Sequence, residues 1–175
     1  MSHRKPYSDS WEFLRDQQLL EGDVLPVLQE RAPTSHDEQL GVSFFRTRLS
    51  NARLEYLSLP QTFFERSEIR GISFRGTDLY ESTACWNEFV DVDLREANLS
   101  GMDLRGFTFQ RVDFRGAHLC GADLRRTSFT ACTFAGADLT GAQLSRSLLW
   151  FFRLSSTQRR GVNWHNGPGP EPQGG

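Results

Sequence analysis

The residues able to do chemistry are few and scattered. The chain has four histidines, His3, His36, His118 and His165, and three cysteines, Cys85, Cys120 and Cys132. No two of them have the short spacing of a metal-ligand pair. No glycine-rich phosphate loop and no Gly-x-Ser-x-Gly nucleophile turn occurs. His118 stands where neighbouring segments carry Asp or Asn, and it reads as a surface variation. The three cysteines, widely separated, read as reduced thiols in a cytoplasmic protein. The sequence therefore predicts no enzyme, no metal and no cofactor, and function must come from surfaces.

Those surfaces are positioned by a strict repeat. From Phe44 to Leu154 a large apolar residue falls at every fifth position, with only Ala84 small. Two residues before each lies a second column, mostly small or β-branched, such as Ala52, Thr77, Val92, Ala117 and Ala142. A period of five suits neither ordinary element. On an α-helix it would smear the apolar residues around the cylinder, and on a straight strand it would send successive repeats to opposite faces. The chain must turn a corner once per repeat. All nine glycines between residues 41 and 155 lie two residues after the large apolar position, where a tight corner favours a residue without Cβ. Each repeat reads as a three-residue strand with its first and third side chains inward, followed by a two-residue turn, and stacked repeats make a solenoid.

Segments such as Ala97-Asn98-Leu99-Ser100-Gly101, Ala122-Asp123-Leu124-Arg125-Arg126 and Ala137-Asp138-Leu139-Thr140-Gly141 resemble the A(D/N)LXX motif of the pentapeptide-repeat family. The resemblance covers about two-thirds of the chain. It implies an all-β solenoid, a right-handed quadrilateral β-helix with four pentapeptides per coil. Residues twenty apart would then stack, giving nearly six coils and a rod about 25 to 30 Å long at the usual strand spacing.

Three regions follow. Residues 1–40 lack the repeat; Asp9 and Glu12 resemble a capping box before an amphipathic stretch with Trp11, Leu14, Leu19 and Leu20, so they read as a helical cap and loop covering the solenoid's first coil. Residues 41–155 form the β-helix, and residues 156–175 a partly flexible tail. The polar start shows neither a signal peptide nor a membrane span. A net charge of −2 over 175 residues gives no global attraction for nucleic acid or anionic membrane.

Three surface features are candidates for binding. Arg75, Arg95 and Arg115 lie twenty apart, so they should form a ladder on one wall beside Asp93 and Asp113. Trp86 falls at a corner and should be exposed as a bump for a partner. Near the C-terminal end Leu148, Trp150, Phe151 and Phe152 place apolar side chains outward, which asks for a cover. The expected cover is a second copy meeting the chain end to end, a homodimer through the C-terminal coil as in several similar proteins; the alternative is the chain's own tail through Val162 and Trp164.

The resemblance implies a role for the whole. Understood members mostly bind type II topoisomerases, DNA gyrase or topoisomerase IV, and protect them from inhibitors. In that picture a dimeric rod of duplex width occupies the enzyme's DNA-binding saddle. Against this, residues 41–155 hold 14 Arg and 13 Asp plus Glu, a balance of +1, where duplex mimicry calls for an acidic surface. The alternative is a protein-binding scaffold or immunity-type partner unrelated to topoisomerase.

Overall fold

The computed structural model describes residues 43–45, 48–85, 87–146, 148 and 153–166. The expected helical cap over residues 1–40 lies outside the described residues, as does the tail beyond Asn166. Within them the chain winds as a parallel β-solenoid of about six turns.

Two of its four walls carry regular strands. The Phe44 wall holds β1 (Ser43–Phe45), β3 (Phe63–Glu65) and β5 (Thr83–Cys85), paired in that order, and further along β8 (Asp123–Leu124), β10 (Gln143–Ser145) and β11 (Asn163–His165). The Leu49 wall holds β2 (Arg48–Ser50), β4 (Glu68–Arg70), β6 (Glu88–Val90), β7 (Thr108–Gln110) and β9 (Ser128–Thr130). The Leu54 and Leu59 walls pair through single bridges, Ser73 with Asp93 and Asp93 with Asp113 on one, Asp78 with Asn98 and Asn98 with His118 on the other. Every pairing is parallel and offset by twenty residues, as in Phe89 with Phe109 and Phe109 with Phe129. Four pentapeptides per coil is thus the observed geometry.

The strands sit one residue later than the sequence pattern places them. Each centres on the large apolar residue, so that in β4 Ile69 is buried between half-buried Glu68 and exposed Arg70. The second column is nevertheless inward, because the backbone reverses at the corner between them. At that corner φ is positive in every fifth residue from Asn51 to Gly141 for which the backbone is described. Where the corner closes as a hydrogen-bonded turn, Thr77 N–H donates to Phe74 O at 3.0 Å and Ala117 N–H to Phe114 O at 3.0 Å. Eight of these residues are glycine; ten are not, among them Tyr56, Glu81, Arg111 and Ala131.

The residue before the large apolar one explains the motif's taste for Asp or Asn. Its carboxylate or amide oxygen accepts the backbone N–H two residues on, as Asp93 does from Arg95 at 3.0 Å and Asn98 from Ser100 at 3.2 Å. That short loop pre-forms the approach to the corner.

Inside, the axis is dry and filled. Phe64, Phe74, Phe89, Phe107, Phe109 and Phe114 are all essentially without exposure. Rings on one wall stack coil upon coil, Phe109 on Phe129 at 5.3 Å and Phe114 on Phe134 at 4.6 Å, while neighbouring walls meet edge to face, Phe109 against Phe114 at 5.1 Å. Phe107 is an aromatic of the second column and stacks on Phe109 at 4.8 Å. Met102, in the second column one coil on from Ala84, is buried. Polar side chains of the second column satisfy themselves across coils. Thr127 Oγ1 donates to Leu104 O at 2.8 Å, Thr77 to Leu54 O, and Asn87 donates to Phe64 O while accepting from Ser67 N–H.

The C-terminal end is closed by the chain itself. Ser155 caps a short helix α1 (Ser156–Gly161) through a capping box with Gln158. Gln158 Nε2 then donates to Phe134 O at 2.8 Å and Ala137 O at 2.9 Å, carbonyls that a further coil would otherwise meet. After the helix, β11 rejoins the Phe44 wall in the register of twenty, setting Trp164 beside Leu144, and Val162 is buried. The tail is therefore a cover for the last coil. Leu148, expected to face outward as part of a dimer interface, is instead 2 % exposed within the core. The backbone at Arg146 and Leu148 is helical rather than extended, so Leu148 does not take the outward flank of a strand.

The corners predict a contrast. A Cβ at Gly106 (φ 69°) meets nothing within 4 Å, so Gly106→Ala should cost only the left-handed backbone strain, about 1 kcal/mol. A Cβ at Gly76 would lie 2.4 Å from the Tyr56 ring, so Gly76→Ala should cost more, and the excess should vanish in a Tyr56→Ala background. Urea unfolding of the four variants measures this; equal losses at the two glycines would contradict the corner geometry.

Candidate interaction surfaces

Because the centre of each strand points inward, its two flanking residues point out on the same wall two positions apart. Asp followed two residues later by Arg therefore forms an ion pair along a single strand. The sequence holds four such pairs: Asp93 with Arg95, Asp103 with Arg105, Asp113 with Arg115 and Asp123 with Arg125. Each closes at 2.6 Å between Nη2 and Oδ2. This Asp-x-Arg device was not read from the sequence, although its spacing was there to find.

On the Leu54 wall the structure brings Arg75, Arg95 and Arg115 into the expected line. They do not form a free basic stripe. Arg95 also faces Asp113 at 3.9 Å, and Arg75 is held by Glu96 at 2.8 Å. The Phe44 wall repeats the pattern, with Arg105 facing Asp123 at 3.7 Å beyond its own Asp103. On the Leu49 wall Arg70 bridges Glu68 at 2.8 Å and Glu88 at 3.0 Å, and Arg111 holds Asp91. These three walls are patchworks of matched charge.

The carboxylates show the matching. The Arg105 guanidinium holds the Asp103 carboxyl below its ordinary range, and Arg111 does the same for Asp91. Burial opposes the charge on Asp93, but the bonds from Arg95 outweigh it and the group still titrates low. Asp138 is lowered by the Thr140 hydroxyl and backbone.

The Leu59 wall differs. Its outward and corner positions, 58–61, 78–81, 98–101, 118–121 and 138–141, contain Asp78, Glu81 and Asp138 and no Lys or Arg. Tyr80, 43 % exposed, is the exposed large apolar side chain of the described residues and lies on this wall. His118 sits between Asn98 and Asp138 in the bridge column. Cys120 lies beside Asp138, and burial together with that carboxylate pushes its thiol up; burial alone chiefly raises Cys132. Both are free cysteines. Among the described residues no group of three or more His, Cys, Asp or Glu could hold a metal ion, and no helix is long and apolar enough to cross a membrane.

Trp86, Trp150, Phe151 and Phe152 lie outside the described residues. The candidates brought together are thus the three arginines, already paired. Sequence reasoning missed the cation-free Leu59 wall, which aligning the chain in blocks of twenty would have exposed.

The class this geometry defines is a quadrilateral parallel β-helix, a rod filled by its own side chains and available only from outside. Eight copies of the family model for pentapeptide repeats match residues 88–111 and 113–150, and this part of the chain is a pentapeptide-repeat array. No curated protein matches the sequence. Similar solved structures include the pentapeptide repeat protein Rfr23 from the cyanobacterium Cyanothece 51142, 14% identical over 70% of this chain and 88% of that one, with a TM-score of 0.40. Another is QnrB1, a plasmid-mediated fluoroquinolone resistance protein, in a trypsin-treated form: 19% identical over 75% of this chain and 69% of that one, TM-score 0.38. A third is HetL from Nostoc sp. strain PCC 7120, involved in heterocyst differentiation regulation, 24% identical over 61% and 58%, TM-score 0.28.

The ion-paired walls predict an acid-sensitive rod. The lowered carboxylates of Asp91, Asp93, Asp103 and Asp138 contribute stability that is fully present above the unfolded value of about 3.9 and is lost as pH falls through their folded values. The urea midpoint should be nearly level from pH 8 to 5 as far as these groups are concerned, and should drop below about pH 4. Asp103→Asn should shallow that drop while costing no more than about 1 kcal/mol at pH 7, since the pair is solvent-exposed. A midpoint that rises on acidification would contradict the pairing.

Proposed function

We propose that the chain is a non-catalytic binding rod that acts in the cytoplasm on a type II topoisomerase, DNA gyrase or topoisomerase IV, and protects it from inhibitors as an antibiotic or self-resistance factor. The observation that carries this reading is the Leu59 wall. Its outward and corner positions carry Asp78, Glu81 and Asp138 and no Lys or Arg of their own, whereas on the other walls Arg alternates with Asp and Glu. A groove built for duplex DNA is lined with positive charge, and an acidic, cation-free wall on a narrow rod is the surface complementary to it. A filled interior leaves no concave pocket for a substrate, in keeping with a surface role.

A second reading is favoured by the three ion-paired walls. They make the rod nearly neutral overall, as suits a protein-binding scaffold or immunity-type partner that engages no topoisomerase. The deciding assay is gyrase supercoiling with a poison titrated in the presence and absence of the protein. Rescue should occur at micromolar rod and be lost when Asp78, Glu81 and Asp138 are replaced by Lys. Absence of rescue together with absence of gyrase in a pull-down would leave the scaffold reading.

The tail's closure of the last coil supports a cover supplied by the chain rather than by a second copy. Light scattering is expected to return the mass of one chain, 20.0 kDa. A mass near twice that value would restore end-to-end pairing of two copies.

A further inference from the structure

The C-terminal end of the rod is where charge is left uncompensated. From Leu139 to Asn166 the sequence holds Arg146, Arg153, Arg159 and Arg160 and not one Asp or Glu. All four are exposed, and among the described residues none makes an ion pair. By contrast Arg70, Arg95, Arg105, Arg111, Arg115 and Arg125 each hold a carboxylate within 3.0 Å. The four arginines stand on the coil and helix that end the solenoid, the same segment that closes the last coil.

Two of them border a recess. Arg153 and Arg159 line an open groove of about 610 Å³ together with Ala135, Gly136, Ala137 and Leu154, between the last full coil and α1. Its lining is mostly apolar, and among the described residues its cations have no carboxylate partner. A run of phosphates would meet the guanidiniums but would gain nothing from an aliphatic floor. A peptide with acidic residues around one apolar side chain uses both, since unpaired guanidiniums form strong charge-assisted bonds to carboxylates while the side chain leaves water.

We propose that this groove docks an extended acidic segment of a protein partner, one apolar side chain lying against Ala135, Ala137 and Leu154 and flanking carboxylates on Arg153 and Arg159. The inference rests on the reading of the chain as a binding rod and not on the partner being a topoisomerase. It places the acidic Leu59 wall and the basic end on one molecule as two docking surfaces that meet where Gly141 N–H donates to Gly161 O at 2.7 Å.

The test is fluorescence anisotropy with the full chain and a labelled Glu-Glu-Glu-Leu-Glu-Glu-Glu peptide at low ionic strength. Saturable binding is expected, weakened at least tenfold by Arg153→Ala combined with Arg159→Ala and changed less than twofold by Arg95→Ala combined with Arg115→Ala. Replacing the peptide's Leu by Ser should weaken it severalfold, and an oligothymidine of equal charge should bind more weakly. Circular dichroism of each variant confirms that the fold is kept. No binding, equal binding of the oligothymidine or the Ser peptide, or an equal loss in the Arg95 and Arg115 variant would overturn the proposal. So would a gain in affinity on removing residues 167–175, because Glu171 would then be the groove's occupant. Lost gyrase rescue with peptide binding intact removes the topoisomerase and leaves the groove; the reverse result removes the groove alone.

Discussion

The structure depends on the offset of twenty residues between hydrogen-bonded coils. Each backbone N–H and C=O of a wall finds its partner only if every coil contains the same number of residues. The bonds that cross from coil to coil, such as Leu54 N–H to Ser73 O at 2.7 Å and Leu94 N–H to Asp113 O at 2.8 Å, hold that count over the whole rod. The requirement propagates inward. With the backbone fixed, large side chains fall on the same four lines in every coil, and each ring or isobutyl group packs on the one before it. It also propagates outward, because the residues flanking each strand centre are forced onto one wall two positions apart. The aromatic stacks and the Asp-x-Arg pairs are both consequences of one spacing.

The corner is where the constraint is felt most. A turn every fifth residue demands a left-handed backbone, and glycine meets that demand without strain. Yet ten non-glycine residues accept it, including the bulky Tyr56 and Arg111. No single corner has to be comfortable, since the neighbouring coils hold it from both sides with bonds such as Tyr56 N–H to Arg75 O at 2.8 Å. The register overrides local preference, as tertiary context does elsewhere.

What could be read in advance follows from this. A period of five is visible without any structure, so the inward lines, the corner glycines and the stacking of Leu49, Ile69, Phe89, Phe109 and Phe129 were all legible. Phe107 was legible in position but not in consequence, because one aromatic among small second-column residues gives no sign of stacking on Phe109. The Asp-x-Arg pairs needed knowledge of which residues flank a strand, and the pattern had the strand one residue early. The closure of the end was open to two answers. Past Leu154 the motif disappears while the offset of twenty returns between Leu144 and Trp164, and a six-residue helix in place of a pentapeptide corner leaves no periodic trace. Leu148 was misplaced for the same reason: the repeat was extended to a segment that had begun to leave it.

Matched charge along three walls has a consequence for recognition. Ion pairs that satisfy one another within the rod contribute little to stability and offer little to a partner, which would have to break them first. Their effect is to make most of the surface unattractive to stray polyanions and polycations. Against that quiet background the two places whose own charges are of one sign, the Leu59 wall with its carboxylates and the last coil with its arginines, become the sites where long-range attraction begins. Along a rod of repeating cross-section the walls share one backbone shape, so departures from charge balance are what can distinguish one wall or one end from another.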